Sequence, residues 1–132
     1  NGVSGSRIVD DTYNANPTSL AAALDMLTSE PGQKWLVLGD MSELGPSAEK
    51  IHLDTGSKIR EAGIDRLFTF GELAEIAGRS FGENTKSYRD IFSLIDSLIA
   101  GLTSEVTVLV KGSRSMQMER VIDGLTGETR SC

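Results

Sequence analysis

The sequence contains a single cysteine, Cys132, and a single histidine, His52. The first excludes an internal disulfide framework and a CxxC zinc site, and the second excludes a histidine-rich metal cluster. Basic side chains are in deficit: 13 Lys and Arg stand against 19 Asp and Glu, a net charge of −6. A chain this acidic lacks the basic face needed to neutralise nucleic-acid phosphates. No apolar run nears the roughly 20 residues of a membrane span. The opening residues, Asn1 to Arg7, carry no signal-peptide core. These absences point to a soluble protein of a reducing compartment. Two phosphate-binding signatures are missing as well. GxxxxGK[ST] occurs nowhere, and GxGxxG does not follow the first apolar run, which counts against a nicotinamide dinucleotide.

What is present is an alternation of short apolar runs with helix-period segments, within 132 residues, about one domain's length. The runs are Ile8-Val9, Trp35 to Leu38, Leu67 to Phe70 and Val106 to Val110, with a short candidate strand at Thr85 to Tyr88. The second and fourth runs do not alternate with polar residues, as befits strands buried on both faces of a parallel sheet. Five helices are predicted between and after them. Asn16 caps the first, with Pro17 at its first position and Leu20, Leu24 and Leu27 inward. Ser47 is placed as the cap of the second, which carries His52, and Asp90 as the cap of the fourth. The third holds Leu73, Ile76 and Ala77, and Ser115 is placed as the cap of the fifth, before Met118, Val121 and Leu125. The order implies an α/β, Rossmann-like, open and mostly parallel sheet with helices on both faces, in a single domain.

Ligands bind such sheets beyond the carboxyl ends of the strands. The polar clusters fall there: Asp10-Asp11, Gly39-Asp40, Gly71-Glu72 and Lys111 to Arg114. In the stretch Asp11 to Pro17, one helix cap accounts for Asn16 but leaves Asp11 and Asn14 unexplained, so those two read as ligand groups for ribose or base edges. Lys111-Gly112-Ser113-Arg114-Ser115 combines two cations, two hydroxyls and a predicted helix start, an anion-binding composition. Asp40 and Glu43 fit metal binding, ligand orientation or a tight turn at Gly45-Pro46. His52, with no nucleophile signature beside it, reads as a packed or capping histidine.

Three strings, Asp10 to Pro17, Leu38 to Gly45 and Val110 to Ser115 with Met118-Glu119, together resemble the C-terminal domain of the Mur ligase family. Within that family they are most similar to the branch that adds D-alanyl-D-alanine to a UDP-N-acetylmuramoyl-tripeptide. The resemblance implies a cytoplasmic bacterial enzyme of peptidoglycan synthesis, a monomer of three domains. The N-terminal domain would take the UDP-sugar peptide, and a central domain would carry the phosphate loop and most Mg2+ ligands. The third would close over ATP and help position the dipeptide. ATP would activate the peptide carboxylate as an acyl phosphate, which the dipeptide amine then attacks. It also implies that residues 1–7 are linker from a central ATPase domain, 8–126 the domain proper and 127–132 a tail, and that the domain alone is inactive. Carried over by position, Asp11, Tyr13, Asn14 and Asn16 would contact ATP. Asp40, Lys111, Ser113, Arg114 and Ser115 would face D-alanyl-D-alanine, with Lys111 or Arg114 pairing with its carboxylate. No metal ligand is assigned within this domain.

Two other readings compete. A phosphorylatable receiver domain also has an acidic pair after its first strand and a lysine after its last, matching Asp10, Asp11 and Lys111. Its acceptor aspartate, however, follows the third strand, whereas Asp40 follows the second. The other is a stand-alone Rossmann-like binding module.

Overall fold

Side-chain alternation along the strands sorts the core into two layers, one on each face of a single sheet. The computed structural model describes residues 2–12 and 15–126. Five strands, β1 (Arg7–Asp11), β2 (Gln33–Gly39), β3 (Arg66–Phe70), β4 (Thr85–Tyr88) and β5 (Val106–Lys111), pair in the order β1-β5-β2-β3-β4. Every pairing is parallel. Helices α1 (Pro17–Thr28), α2 (Ala48–Glu61) and α3 (Glu72–Phe81) connect the first four strands. Helix α4 (Ile91–Gly101) precedes β5, and α5 (Glu119–Thr126) follows it.

Because successive strand residues face opposite ways, Leu36, Leu38, Leu67 and Leu109 join Leu20, Leu24, Ile59, Ala77 and Phe81 under α1, α2 and α3. Their neighbours Trp35, Val37, Phe68, Val108 and Val110 join Leu94, Leu98, Met118, Val121 and Leu125 under α4 and α5. The uninterrupted apolar runs of β2 and β5 are thereby explained: these strands lie inside the sheet, covered on both faces. Interior β5, the last strand of the chain, lies beside the first. The receiver reading fails here, since that fold runs 2-1-3-4-5 with its first strand inside the sheet, whereas β1 is an edge strand.

Helix starts follow the expected chemistry at two places. Asn16 accepts the Ser19 N–H at 2.9 Å, and Ser19 Oγ accepts the Asn16 N–H at 3.2 Å, a reciprocal capping box. Asp90 caps α4 through the Phe92 N–H at 3.2 Å and the Ser93 hydroxyl at 2.8 Å. Two other expected caps are corrected. Ser47 makes no side-chain cap bond, because a 3-10 turn at Gly45–Ser47 runs straight into α2 and the Ala48 N–H goes to the Gly45 carbonyl. Ser115 does not cap the last helix. It lies in a 3-10 turn, Arg114–Met116, and α5 begins only at Glu119. Between them Gln117 takes a left-handed conformation, φ 52°. That reversal lets fully buried Met118 enter the core against Gly39 and Gly112. A Cβ on Gly112 would sit 2.6 Å from Met118 Cγ, so the close approach requires glycine there.

Candidate functional site

All five strands are parallel, so all their carboxyl ends open on one rim. Asp11 and Lys111 are the last residues of β1 and β5 and stand opposite each other in register. Their side chains meet: Lys111 Nζ lies 2.9 Å from Asp11 Oδ2. The Lys111 side chain is 1 % exposed and that of Asp11 40 % exposed. Lysine is seldom buried without a counter-charge, and the register of β1 and β5 supplies this one. Two residues that the sequence assigned to different ligands are therefore partners of each other.

The loops after β2 and β5 are tied together below the rim. The buried Ser113 donates its N–H to the Asp40 carbonyl at 3.0 Å, and its Oγ accepts the Ser42 N–H at 2.6 Å. Asp40 Oδ1 accepts the Ala74 N–H at 2.7 Å, capping α3 from a different loop. Gly71 makes that approach possible. Its φ of 113° and its missing Cβ let Asp40 pack against the start of α3. His52 is fully buried in α2. Its Nε2 accepts the Met41 N–H at 3.1 Å, and Nδ1 faces the Ala48 carbonyl at 2.8 Å. Asp40, Ser113 and His52 thus build the floor on which the rim loops rest. Arg120 fastens the far side, donating to the Met116 and Gln117 carbonyls at 2.8 and 2.9 Å.

At the end of β1, beside the turn and helix that follow β5, is a cavity of about 330 Å³ lined by Asp10, Asp11, Thr12, Arg114 and Glu119. It brings Asp11 and Arg114 together. Lys111, Asp40 and Ser113 do not line it, Asn16 serves as a helix cap, and Ser115 lies exposed in the 3-10 turn. Tyr13 and Asn14 lie outside the described residues. Asp10, Thr12 and Glu119 are additions to the sequence-derived set. Asp10 Oδ1 accepts both the N–H and the hydroxyl of Thr12, at 3.2 and 2.8 Å, which shapes the start of the loop. Glu119 reaches the cavity from the first turn of α5. Met118-Glu119 belongs to the strings that carry the resemblance, but an acidic first turn is ordinary helix chemistry and gave Glu119 no ligand role.

The lining is chemically mixed, with carboxylates and a hydroxyl beside one guanidinium. Such a set can accept hydroxyl donors on one side and hold a carboxylate or phosphate on the other. Among the described residues no three His, Cys, Asp or Glu side chains converge as a metal site would require.

The family "Mur ligase, glutamate ligase domain" matches residues 1–114. The chain belongs to the Mur ligase C-terminal domain family. Among relatives of this Mur ligase domain, the UDP-N-acetylmuramoyl-tripeptide–D-alanyl-D-alanine ligase of Escherichia coli K12 is 38 % identical over 120 residues, covering 89 % of this chain and 26 % of the enzyme. The ligase of the same name from Bacillus subtilis 168 is 38 % identical over 129 residues, covering 92 % and 28 %. The crystal structure of MurF ligase from Thermotoga maritima in complex with ADP superposes with a TM-score of 0.83 at 29 % identity, over 92 % of this chain and 28 % of that one. The Mur ligase domain thus spans about a quarter of the length of these relatives. The expected α/β fold is borne out, and the reading as a stand-alone binding module finds no support among these relatives. No helix among the described residues is long and apolar enough to cross a membrane.

Proposed function

We propose that this Mur ligase domain is the C-terminal part of a cytoplasmic bacterial ligase that joins D-alanyl-D-alanine to a UDP-N-acetylmuramoyl-tripeptide at the expense of ATP. In this reading the residues ahead of β1 lead in from a central ATPase domain, which carries the phosphate loop and most of the Mg2+ ligands, and the expected boundary moves back to Arg7, the first residue of β1. The sheet and its helices, from Arg7 through residue 126, form the closing domain, inactive alone. The observation that carries the reading is the rim cavity, where Asp11 and Arg114 face one space in a chain whose relatives bear that ligase name.

The roles divide by chemistry. Asp11 presents a half-exposed carboxylate at a strand end, which suits acceptance from the ribose hydroxyls of ATP. Arg114 offers a planar fork for the carboxylate of the dipeptide, whose amine must point away toward the activated peptide. Lys111, the other candidate for that carboxylate, is held inside by Asp11. Tyr13 and Asn14 are assigned to ATP on the sequence resemblance alone. Ser113 and Asp40 hold the loops in place without reaching the cavity themselves.

Asp11→Ala in the full-length enzyme tests the nucleotide assignment. A hydrogen bond to an ionised group is worth about 1.5–3 kcal/mol, so the KM for ATP rises roughly 10–100-fold. The dipeptide KM stays near its original value. An unchanged ATP KM removes Asp11 from the nucleotide site.

A further inference from the structure

Lys111 is the largest of the fully buried side chains, yet it ends a strand on the rim where ligands bind. Its ion pair is asymmetric, with the cation inside the fold and the carboxylate of Asp11 two-fifths exposed at the cavity wall. An aspartate side chain turns about two bonds, and its acceptor directions turn with it. An ammonium fixed at 2.9 Å from Oδ2 removes that freedom, because Lys111 is held by the packing of interior β5. The N–H···O contact is charge-assisted and strong enough to set the carboxylate plane. The backbone reinforces it, since the two residues are paired in register.

From this geometry we infer that Lys111 is a positioning residue for the nucleotide. It holds the Asp11 carboxylate in the orientation that receives the ribose hydroxyls, and it does not read the dipeptide. The inference rests on the reading of Asp11 as a ribose acceptor. Lys111 touches no ligand and acts on the nucleotide through Asp11. Misorienting an acceptor forfeits much of a charge-assisted bond, so the loss approaches that from removing Asp11 itself.

The test uses the full-length ligase with Lys111→Met, Lys111→Arg, Asp11→Ala and the Asp11→Ala/Lys111→Met pair, each checked for folding by thermal melting. Steady-state KM values for ATP and dipeptide are measured, with ADP affinity by calorimetry as a readout independent of turnover. Lys111→Met raises the ATP KM and the ADP Kd about tenfold and leaves the dipeptide KM unchanged. Lys111→Arg keeps the charge but enlarges the head, and recovers part of the affinity. The double variant is no weaker toward ATP than Asp11→Ala alone, because both changes remove one acceptor. A raised dipeptide KM with an unchanged ATP KM overturns the inference, as do losses that multiply in the double variant. If Asp11→Ala weakens ATP and Lys111→Met does not, the inference falls and the nucleotide reading survives. If Asp11→Ala leaves ATP unaffected, both fall. Should Lys111→Met fail to fold, the same split in Lys111→Arg decides the matter.

Discussion

His52 and Met41 are joined by a hydrogen bond that fixes which ring nitrogen carries the proton. The Met41 amide can only donate, so His52 Nε2 accepts it at 3.1 Å. The Ala48 carbonyl can only accept, so Nδ1 bears the hydrogen at 2.8 Å. The imidazole thereby pins the loop after β2 to α2 and leaves no nitrogen for general-base work.

Replacing His52 with alanine opens a cavity and strands the Met41 N–H. Together these cost about 2–4 kcal/mol. His52→Gln restores an acceptor for Met41 and recovers part of the loss. Urea unfolding measures both, and ring nitrogen chemical shifts in the wild type report Nδ1 as the protonated atom. An exposed, freely exchanging ring proton would contradict this placement.

Asp40 separates a capping role from a ligand role. Asp40→Asn keeps an oxygen that can accept the Ala74 N–H, so stability changes little and the dipeptide KM is unmoved. Asp40→Ala removes the cap and costs about 1 kcal/mol. Denaturation midpoints and the dipeptide KM of both variants decide between the roles. A large rise in dipeptide KM for Asp40→Asn, at unchanged stability, would put the carboxylate in contact with ligand.

Asp90 predicts a pH dependence. The Ser93 hydroxyl and then the Phe92 N–H hold its carboxyl below the ordinary aspartate value. A depressed folded-state value means the charged form is favoured by folding. The contribution is therefore fully present above the unfolded aspartate range, and it is lost as the pH falls below about 4. Thermal melts between neutral and acid pH show this step in the wild type, and it shrinks in Asp90→Ala. Equal slopes in the two proteins would contradict the cap.

The alternation of apolar runs and helical periods made the architecture legible, and Asn16 and Asp90 announced their helices by type and position. Strand order was not legible, because nothing local in β5 says that it inserts between β1 and β2. The fate of Lys111 depended on that insertion. Only when β5 lies beside β1 does Asp11, a hundred residues away in sequence, become its counter-charge. Ser115 misled for a related reason. It has the right chemistry for a cap, but burying Met118 forces a left-handed turn at Gln117 and delays the helix. Asp40 and Ser113 look like ligand groups in sequence because hydroxyls and carboxylates in strand-end loops serve ligands and backbone amides alike. Their actual partners, Ala74 and Ser42, lie in other segments.

The most direct measurement compares free D-alanyl-D-alanine with its C-terminal amide as acceptor. It uses the full-length enzyme carrying this domain, with ATP and the UDP-N-acetylmuramoyl-tripeptide, as wild type and as Arg114→Ala. Arg114 lines the rim cavity beside Asp11, and a guanidinium holds a carboxylate with two parallel bonds. The expected result is ligation by the wild type, a dipeptide KM raised roughly 10–100-fold by Arg114→Ala, and a comparable penalty when the wild type is given the amide. Arg114→Ala should hardly distinguish the two acceptors, and ATP affinity should stay constant throughout. Absence of ligation by the wild type, or the same factor lost on amidation by both enzymes, would contradict it.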